Sequence, residues 1–482
     1  MNLKIVLRSL GMLLICEAIA LLPSILVSLL YKDGDLFSFL ITLGIVLAIG
    51  LCLSLIKPTS RNIYARDGFA IVALGWLLMS FLGCLPFYIS GAIPSLVDSF
   101  FEACSGLTTT GSTILTTIEG LPRGILFWRS FTHWVGGMGI LVLTMAILPS
   151  LGTGSMQIMK AESPGPIVGR IVPKLGQTAK ILYSIYLGIT LLEVLLLILA
   201  GMTPYDAFIH SLSTVGTGGF SNMNASVAHY NNPFIDAIIT LFMILCGINF
   251  SLYYLILKGN IKGFFKNNEL RFYLAILCGA IGLITVDLLV QNTYGSLGEA
   301  FRFSSFQVAS VMTTTGFATA DFNTWSTFSK IILLLVMFIG GSAGSTAGGL
   351  KVSRILICLK SMGATLKQII HPNAYYTVRM DGKKIDEKTV SDVLIYFFIY
   401  SIVFVGAVIL ISFDGFDFTT TVTSVIGTLN NIGPGLEVVG PVGNFSTFSD
   451  FSKIVFSLIM IIGRIEIYPI LLLFTPDLWR KN

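Results

Sequence analysis

Apolar stretches of roughly 18–25 residues recur along the whole chain, each long enough to cross a hydrocarbon core of about 30 Å. They occupy 39–56, 181–200, 235–257, 274–290, 393–411 and 454–474, with a further run from the N-terminus to about residue 30. In lipid every backbone polar group must be bonded inside the structure, which leaves helices and closed barrels. Barrel strands would read as segments of about ten residues with alternating polarity, so the runs are read as helices. Of the 482 residues, 54% are hydrophobic and only 11% charged, against about a quarter charged in soluble domains. A large soluble domain has no room. The first run follows Lys4 and Arg8 but is long and lacks a convincing small-x-small cleavage site, so it reads as a retained helix.

The net charge of +5 matters less than where the charges lie. Basic residues gather in every second connection: Lys57, Arg61 and Arg66; Lys160, Arg170, Lys174 and Lys180; Lys258, Lys262, Lys266 and Arg271; Lys351 through Lys384; then Arg480 and Lys481. The intervening connections hold acids, among them Asp98, Glu102, Asp206, Glu299, Asp417 and Glu437. The positive-inside rule then puts the basic loops and both termini in the cytoplasm, leaving an acidic outer face suited to a cation. Arg123, Arg129 and Arg302 run against this trend. The seven cysteines, Cys16, Cys52, Cys84, Cys104, Cys246, Cys278 and Cys358, lack metal-ligand spacing and read as small apolar residues. His133, His210, His229 and His371 form no metal-like cluster; His133 and His210 read as packing residues.

The acidic connections are four copies of one unit. In each, an acid opens a short amphipathic stretch, and a polar run ending in glycine closes it. Asp98 leads to Gly111 and Asp206 to Gly219, 13 residues each; Glu299 leads to Gly316, 17 residues; Asp417 leads to Gly433, 16 residues. The repeat is about a hundred residues of helix, short helix, loop and helix. An acid complements the dipole at a helix N-terminus, and the C-terminus of a half-membrane helix points partial negative charge inward. Glycine permits positive φ, so successive carbonyls can turn toward one axis, and four such loops could replace an ion's hydration shell. One TTTG segment would be an ordinary turn. Four copies on one side of the membrane point to a filter, to which Thr109, Thr110, Thr314 and Thr315 can add hydroxyl oxygens.

These motifs resemble the TrkH/TrkG/KtrB family of potassium transporters, nearest its TrkH branch. The resemblance is carried by LTTTGST (107–113), STVGTGGFS (213–221), TTTGFAT (313–319), NNIGPG (430–435), RSFTHWVGGMGI (129–140), GGSAGSTAGGLKVSR (340–354) and GRIEIYPILLLFTPDLW (463–479). It implies Gly111, Gly219, Gly316 and Gly433 as filter glycines, with Gly218, Asn431 and Ile432 completing the potassium-lining set. It also implies a homodimer, each subunit with its own pore, and a TrkA-like cytosolic partner binding NAD or adenine nucleotides. Asn430-Asn431-Ile432 stands where a potassium-channel filter would carry Thr-Val-Gly.

A candidate gate lies at Gly340, Gly341, Ser342, Gly344, Ser345, Thr346, Gly348 and Gly349. Glycine costs roughly 1 kcal/mol relative to alanine inside a helix, so five in ten residues should break the helix after the third filter. Tight packing of small residues on a continuous helix is the alternative. Arg464 sits in the last apolar run, where a charge is costly; it either pairs locally with Glu466 or, as the resemblance implies, faces the pore and holds the glycine-rich loop. The basic segments 160–180 and 355–388 are candidates for docking the partner or simple topology signals.

The expected fold is an all-α polytopic membrane protein of about ten spans: two N-terminal helices (1–66) and four pseudo-fourfold repeats (67–150, 151–258, 259–366, 367–482). The expected activity is potassium uptake across a bacterial inner membrane, with potassium as cargo and no prosthetic group. Membrane lipid surrounds the chain, nucleic acid is not expected as a partner, and clustered catalytic residues at the membrane face are not evident.

Overall fold

The computed structural model describes residues 1–57, 64–139, 175–374 and 376–479. Arg61, the basic connection holding Lys160, Arg170 and Lys174, and the terminal Arg480 and Lys481 lie outside the described residues.

The N-terminal helices Leu3–Tyr31 and Leu36–Ser54 pack face to face. Their close approach needs glycine: a Cβ on Gly11 would strike the main chain at Gly50 and Leu53. The connection between them caps the next repeat. Asp33 accepts from the Arg123 main-chain N–H at 3.0 Å and Asp35 from that of Ile125 at 3.1 Å. The helix starting at Arg123 lacks a side-chain cap of its own, so two carboxylates from another segment satisfy its free N–H groups.

Four repeats follow, each an outer helix, a short helix and an inner helix. The outer helices are Ala65–Gly83 (continued by Leu85–Ile89), Leu175–Leu199, Asn268–Val290 and Glu387–Ile411. The short helices are Leu96–Leu107, Pro204–Val215, Leu297–Met312 and Phe418–Leu429. The inner helices begin at Arg123, Pro233, Thr327 and Asp450. Outer helices expose leucine, isoleucine and phenylalanine, as at Leu187, Leu191, Leu195, Phe398, Ile402 and Ile409, while threonines, serines and glycines of the short helices and loops are buried. An apolar exterior around a polar interior is the arrangement lipid selects.

Three of the repeats depart from straight inner spans. The run 235–257 is two helices, Pro233–Cys246 and Phe250–Leu257, bent by 94°, and Asn249 caps the second by accepting from the Ser251 N–H. The run 454–474 stops as a helix at Arg464 and resumes at Tyr468, with Glu466 and Ile467 left-handed between. The third inner helix, Thr327–Ile339, gives way to an irregular segment before Val352–Ile370. A helical break is therefore not peculiar to the third repeat; among the described residues its break is the longest. Hydropathy reports burial and cannot see a main-chain break, which is why 235–257 and 454–474 read as single spans. Among the described residues six helices are long and apolar enough to span, or seven if the bent pair is one span; the remaining inner elements are short. A two-stranded hairpin, Arg379–Met380 against Lys383–Lys384, interrupts the helical pattern in the last basic connection.

Candidate functional site

Each short helix is started by a side-chain cap. Ser95, Thr203 and Ser296 accept from the N–H groups of Asp98, Asp206 and Glu299, and Asp417 accepts from Thr420. The acids of the first three repeats thus stand three residues inside the helix, while Asp417 is itself the cap. Measured from cap to glycine, Ser95 to Gly111, Thr203 to Gly219 and Asp417 to Gly433 are all 16 residues, and Ser296 to Gly316 is 20. The third short helix is 16 residues long against 12 in the others, an extra turn. Asp417 is exposed, and hydrogen bonding from Thr420, whose N–H donates at 2.9 Å, holds its carboxyl below the usual carboxylate range.

The loops that follow share one backbone. Thr109, Thr217, Thr314 and Asn431 are left-handed at φ 55, 52, 55 and 55°, and Gly111, Gly219, Gly316 and Gly433 at φ 79, 76, 85 and 96°. Alternating handedness turns successive carbonyls to one side, and the second position in each loop is glycine, which takes this conformation without penalty. Thr217 belongs to this set and was missed in the sequence, because STVGTGG offers several glycines and no TTTG register. In loops one and three the outer threonines pair with each other, Thr108 with Thr110 at 2.7 Å and Thr313 with Thr315 at 2.8 Å. Thr108 and Thr313 also donate back to the short helices. The Thr110 and Thr315 hydroxyls are therefore engaged within their loops.

The four loops close into a ring. A Cβ on Gly111 would fall on the Gly218 carbonyl oxygen, one on Gly219 on that of Thr315, one on Gly316 on that of Ile432, and one on Gly433 on that of Thr110. Every glycine abuts the residue preceding the next glycine, and the fourth returns to the first. Gly111, Gly219, Gly316 and Gly433 all line one cavity of about 180 Å³, together with Thr113, Asn224 and Pro434. A larger groove of about 810 Å³, between Tyr31, Glu119, Arg123 and Tyr205, holds none of the ring glycines.

Polar contacts brace the ring from quadrant to quadrant. Buried Arg129 pairs with buried Glu102 at 2.6 Å, donates to the Ser221 carbonyl at 2.9 Å and lies over Phe220 at 3.5 Å. Glu102 also accepts from the Thr113 hydroxyl and the Ile114 N–H. Arg302 pairs with Asp236 at 2.7 Å, and Lys453 with Asp98 at 2.6 Å. Asn323 and the Glu437 main chain exchange two hydrogen bonds. The arginines that defied the charge pattern, Arg129 and Arg302, are thus bound in ion pairs, and Arg123 lies over the Tyr31 ring at 4.4 Å. His133 stacks on Phe220 at 4.1 Å. His210 donates to the Asp206 carbonyl at 2.8 Å and takes the Ser221 hydroxyl at 3.0 Å.

On the far side of the ring lies the glycine-rich segment. Residues 340–351 form no helix, and Gly340, Gly344, Gly349 and Lys351 are left-handed. A continuous helix packed through small residues does not describe it. Ser342 donates its N–H to the Gly247 carbonyl (2.9 Å), Ala343 to Glu269 (2.7 Å) and Gly348 to the Thr314 hydroxyl (2.6 Å); Gly344 accepts from the Phe250 N–H (3.0 Å). Arg464 donates to the carbonyls of Thr346 (2.7 Å), Gly136 (2.5 Å) and Gly137 (2.6 Å). Glu466 pairs with Arg354, so the two residues of the suspected local pair reach in different directions. Gly341 packs near Ala347, and the Ser345 hydroxyl donates to the Ser342 carbonyl at 2.6 Å.

A family profile described as TrkH, cation transport protein, matches residues 37–481. The Trk system potassium uptake protein TrkH of Salmonella typhimurium is 39% identical, with both chains covered in full. The TrkG protein of Escherichia coli is 34% identical over 100% of this chain and 99% of its own. The crystal structure of the potassium transporter TrkH from Vibrio parahaemolyticus superposes with a TM-score of 0.89 at 37% identity, covering 100% of both chains.

Proposed function

The chain belongs to the TrkH family of cation transport proteins, and from that premise we propose that it takes up potassium through the four-loop ring. The observation that carries this reading is the cyclic closure, in which each glycine meets the carbonyl of the next loop. Four inward-turned carbonyl runs at membrane depth are the chemistry that substitutes for an ion's water. The filter is lined by Thr109, Thr110, Gly111, Gly218, Gly219, Thr314, Thr315, Gly316, Asn431, Ile432 and Gly433, with main-chain oxygens doing most of the coordination. The acidic end, where Asp417 stays ionised, faces outward; the lysine-rich connections and both termini face the cytoplasm.

In this reading the 340–351 segment is the gate, and Arg464 is its tether. A guanidinium that takes three carbonyls from two quadrants holds the segment across the pathway and places positive charge in a cation's route. Arg464→Ala is expected to raise potassium flux several-fold in liposomes holding the purified chain alone; flux equal to that of the parent would remove this role. A homodimer and a TrkA-like ring binding NAD or adenine nucleotides complete the assembly. Support for them is family membership and the system that the relatives' names refer to.

The deciding experiment is flux in proteoliposomes under a potassium gradient, with and without a proton or sodium gradient. Potassium-selective flux down its own gradient is the expected result. Strict dependence on a second gradient would replace the channel-like mechanism with symport, and flux without preference over sodium would overturn the filter.

A further inference from the structure

Resting on the filter and gate reading above, we infer that the gate competes with potassium for the innermost position of the filter, through the hydroxyl of Thr314. The four left-handed residues Thr109, Thr217, Thr314 and Asn431 hold one equivalent position, two residues before each glycine. Their side chains are used differently. The Thr217 hydroxyl donates to the Gly216 carbonyl at 2.7 Å. Asn431 donates to the Thr110 hydroxyl at 3.0 Å and to the Met460 carbonyl at 2.9 Å. The Thr109 hydroxyl, fully buried, has no hydrogen-bond partner among the described residues. That of Thr314, also fully buried, accepts the main-chain N–H of Gly348 at 2.6 Å.

Loops one and three lie diagonally across the ring, because the glycine contacts run in the order one, two, three, four. Their TTTG backbones match, and their middle threonines should present matching oxygens. One oxygen has no partner among the described residues, and the other accepts the positive end of a peptide dipole from the gate. A hydroxyl oxygen that accepts an N–H offers the same lone-pair density a potassium ion would use. The Gly348 N–H therefore stands as a cation surrogate. The fit is close: a Cβ on Gly348 would strike the Asn430 carbonyl, and Asn431 would crowd it. Two residues away the Thr346 carbonyl accepts from Arg464, so the same short stretch is held by a guanidinium on one side and by the Thr314 hydroxyl on the other.

An ion seated between Thr109 and Thr314 repels that N–H and weakens its bond, while an empty position strengthens it. Ion occupancy thus biases the gate toward release, as differential binding to two states requires. Potassium itself then lowers the barrier to opening, before any cytosolic partner acts.

The test is thiol reactivity of Ser345→Cys, read as block of flux by a small methanethiosulfonate, with the parent protein controlling for native cysteines. At constant ionic strength, replacing N-methylglucamine with potassium is expected to speed modification at least fivefold. In the Thr314→Val background modification should be fast and independent of potassium; Thr314→Ser should restore the dependence. Thr109→Val should keep the slow rate without potassium and shift the half-maximal potassium concentration upward several-fold. A rate insensitive to potassium in the Ser345→Cys protein overturns the coupling, as does potassium dependence persisting in Thr314→Val. If Thr314→Val fails to assemble, the Ser345→Cys and Thr109→Val measurements still decide. Failure of the filter reading would show separately, as potassium-over-sodium preference unaffected by substitution of Gly316.

Discussion

Replacing Gly316 with alanine is expected to cut potassium uptake at least tenfold and to erase discrimination against sodium in whatever flux remains. Gly316 sits at φ 85°, and a Cβ there would fall on the Ile432 carbonyl oxygen and within 3.0 Å of the Pro434 ring. Left-handed backbone costs a non-glycine residue roughly 1–2 kcal/mol, and each 1.4 kcal/mol is about a factor of ten in an equilibrium. Steric displacement adds to this, because the atom in the way is main chain belonging to the next loop. The carbonyl that must move is one of the proposed ligands, so the damage falls on conduction. Gly363→Ala provides the control: that residue lies in the helix Val352–Ile370 with open space around it, and alanine there should leave uptake intact. Rubidium uptake in a potassium-uptake-deficient strain, with sodium competition in liposomes, measures both effects. Uptake by Gly316→Ala within twofold of the parent would remove the glycine from the filter.

The second large effect concerns Arg129. Glu102→Ala is expected to cost about 3–5 kcal/mol of stability, because removing one partner of a buried ion pair strands the other. The guanidinium is 2% exposed, and its other acceptor, the Ser221 carbonyl, carries no formal charge to neutralise it. Loops one and two would lose their shared brace together, since Glu102 also takes the Thr113 hydroxyl and the Ile114 N–H. The measurement is thermal unfolding in detergent followed by size-exclusion, with uptake read in parallel. Double replacement, Glu102→Gln with Arg129→Met, should recover much of the stability and little of the ring geometry. A single variant as stable as the parent would show that the pair contributes nothing to the scaffold.

Much of this architecture was readable because lipid imposes a coarse rule. Long apolar runs must be helices, and polar, glycine-rich stretches between them must be sheltered. That rule alone groups Gly111, Gly219, Gly316 and Gly433, which the structure brings into one ring. Register was harder. The sequence pattern points to the acids as the openings of the short helices, but Ser95, Thr203 and Ser296 are the caps, and only in the fourth repeat does the acid itself serve. Both residue types satisfy N–H groups at a helix start, so sequence alone offered two origins three residues apart. The extra turn of the third helix stayed hidden in that ambiguity. Breaks in the second and fourth inner helices were also missed. Gly247 and Asn249 carried a faint signal for the first. The left-handed Glu466 and Ile467 carried none, since their conformation follows from packing and from the pairing of Glu466 with Arg354. The partners of Arg464 are main-chain carbonyls on distant segments, which no spacing rule can find.

The ring is made by one polypeptide. In an assembly of four identical chains, a single codon change alters four ligands at once and leaves the ring symmetric. Here each quadrant is encoded separately, so alteration comes in quarters. One quadrant could become Asn-Asn-Ile-Gly while another kept Thr-Thr-Thr-Gly, and one helix could lengthen by a turn without its counterparts following. Such a pore can drift toward division of labour, with some loops holding the cargo and another answering to the gate. It also gives the experimenter a graded dial: perturbations at one, two, three or four corners, each with a defined stoichiometry, inside a single expressed gene.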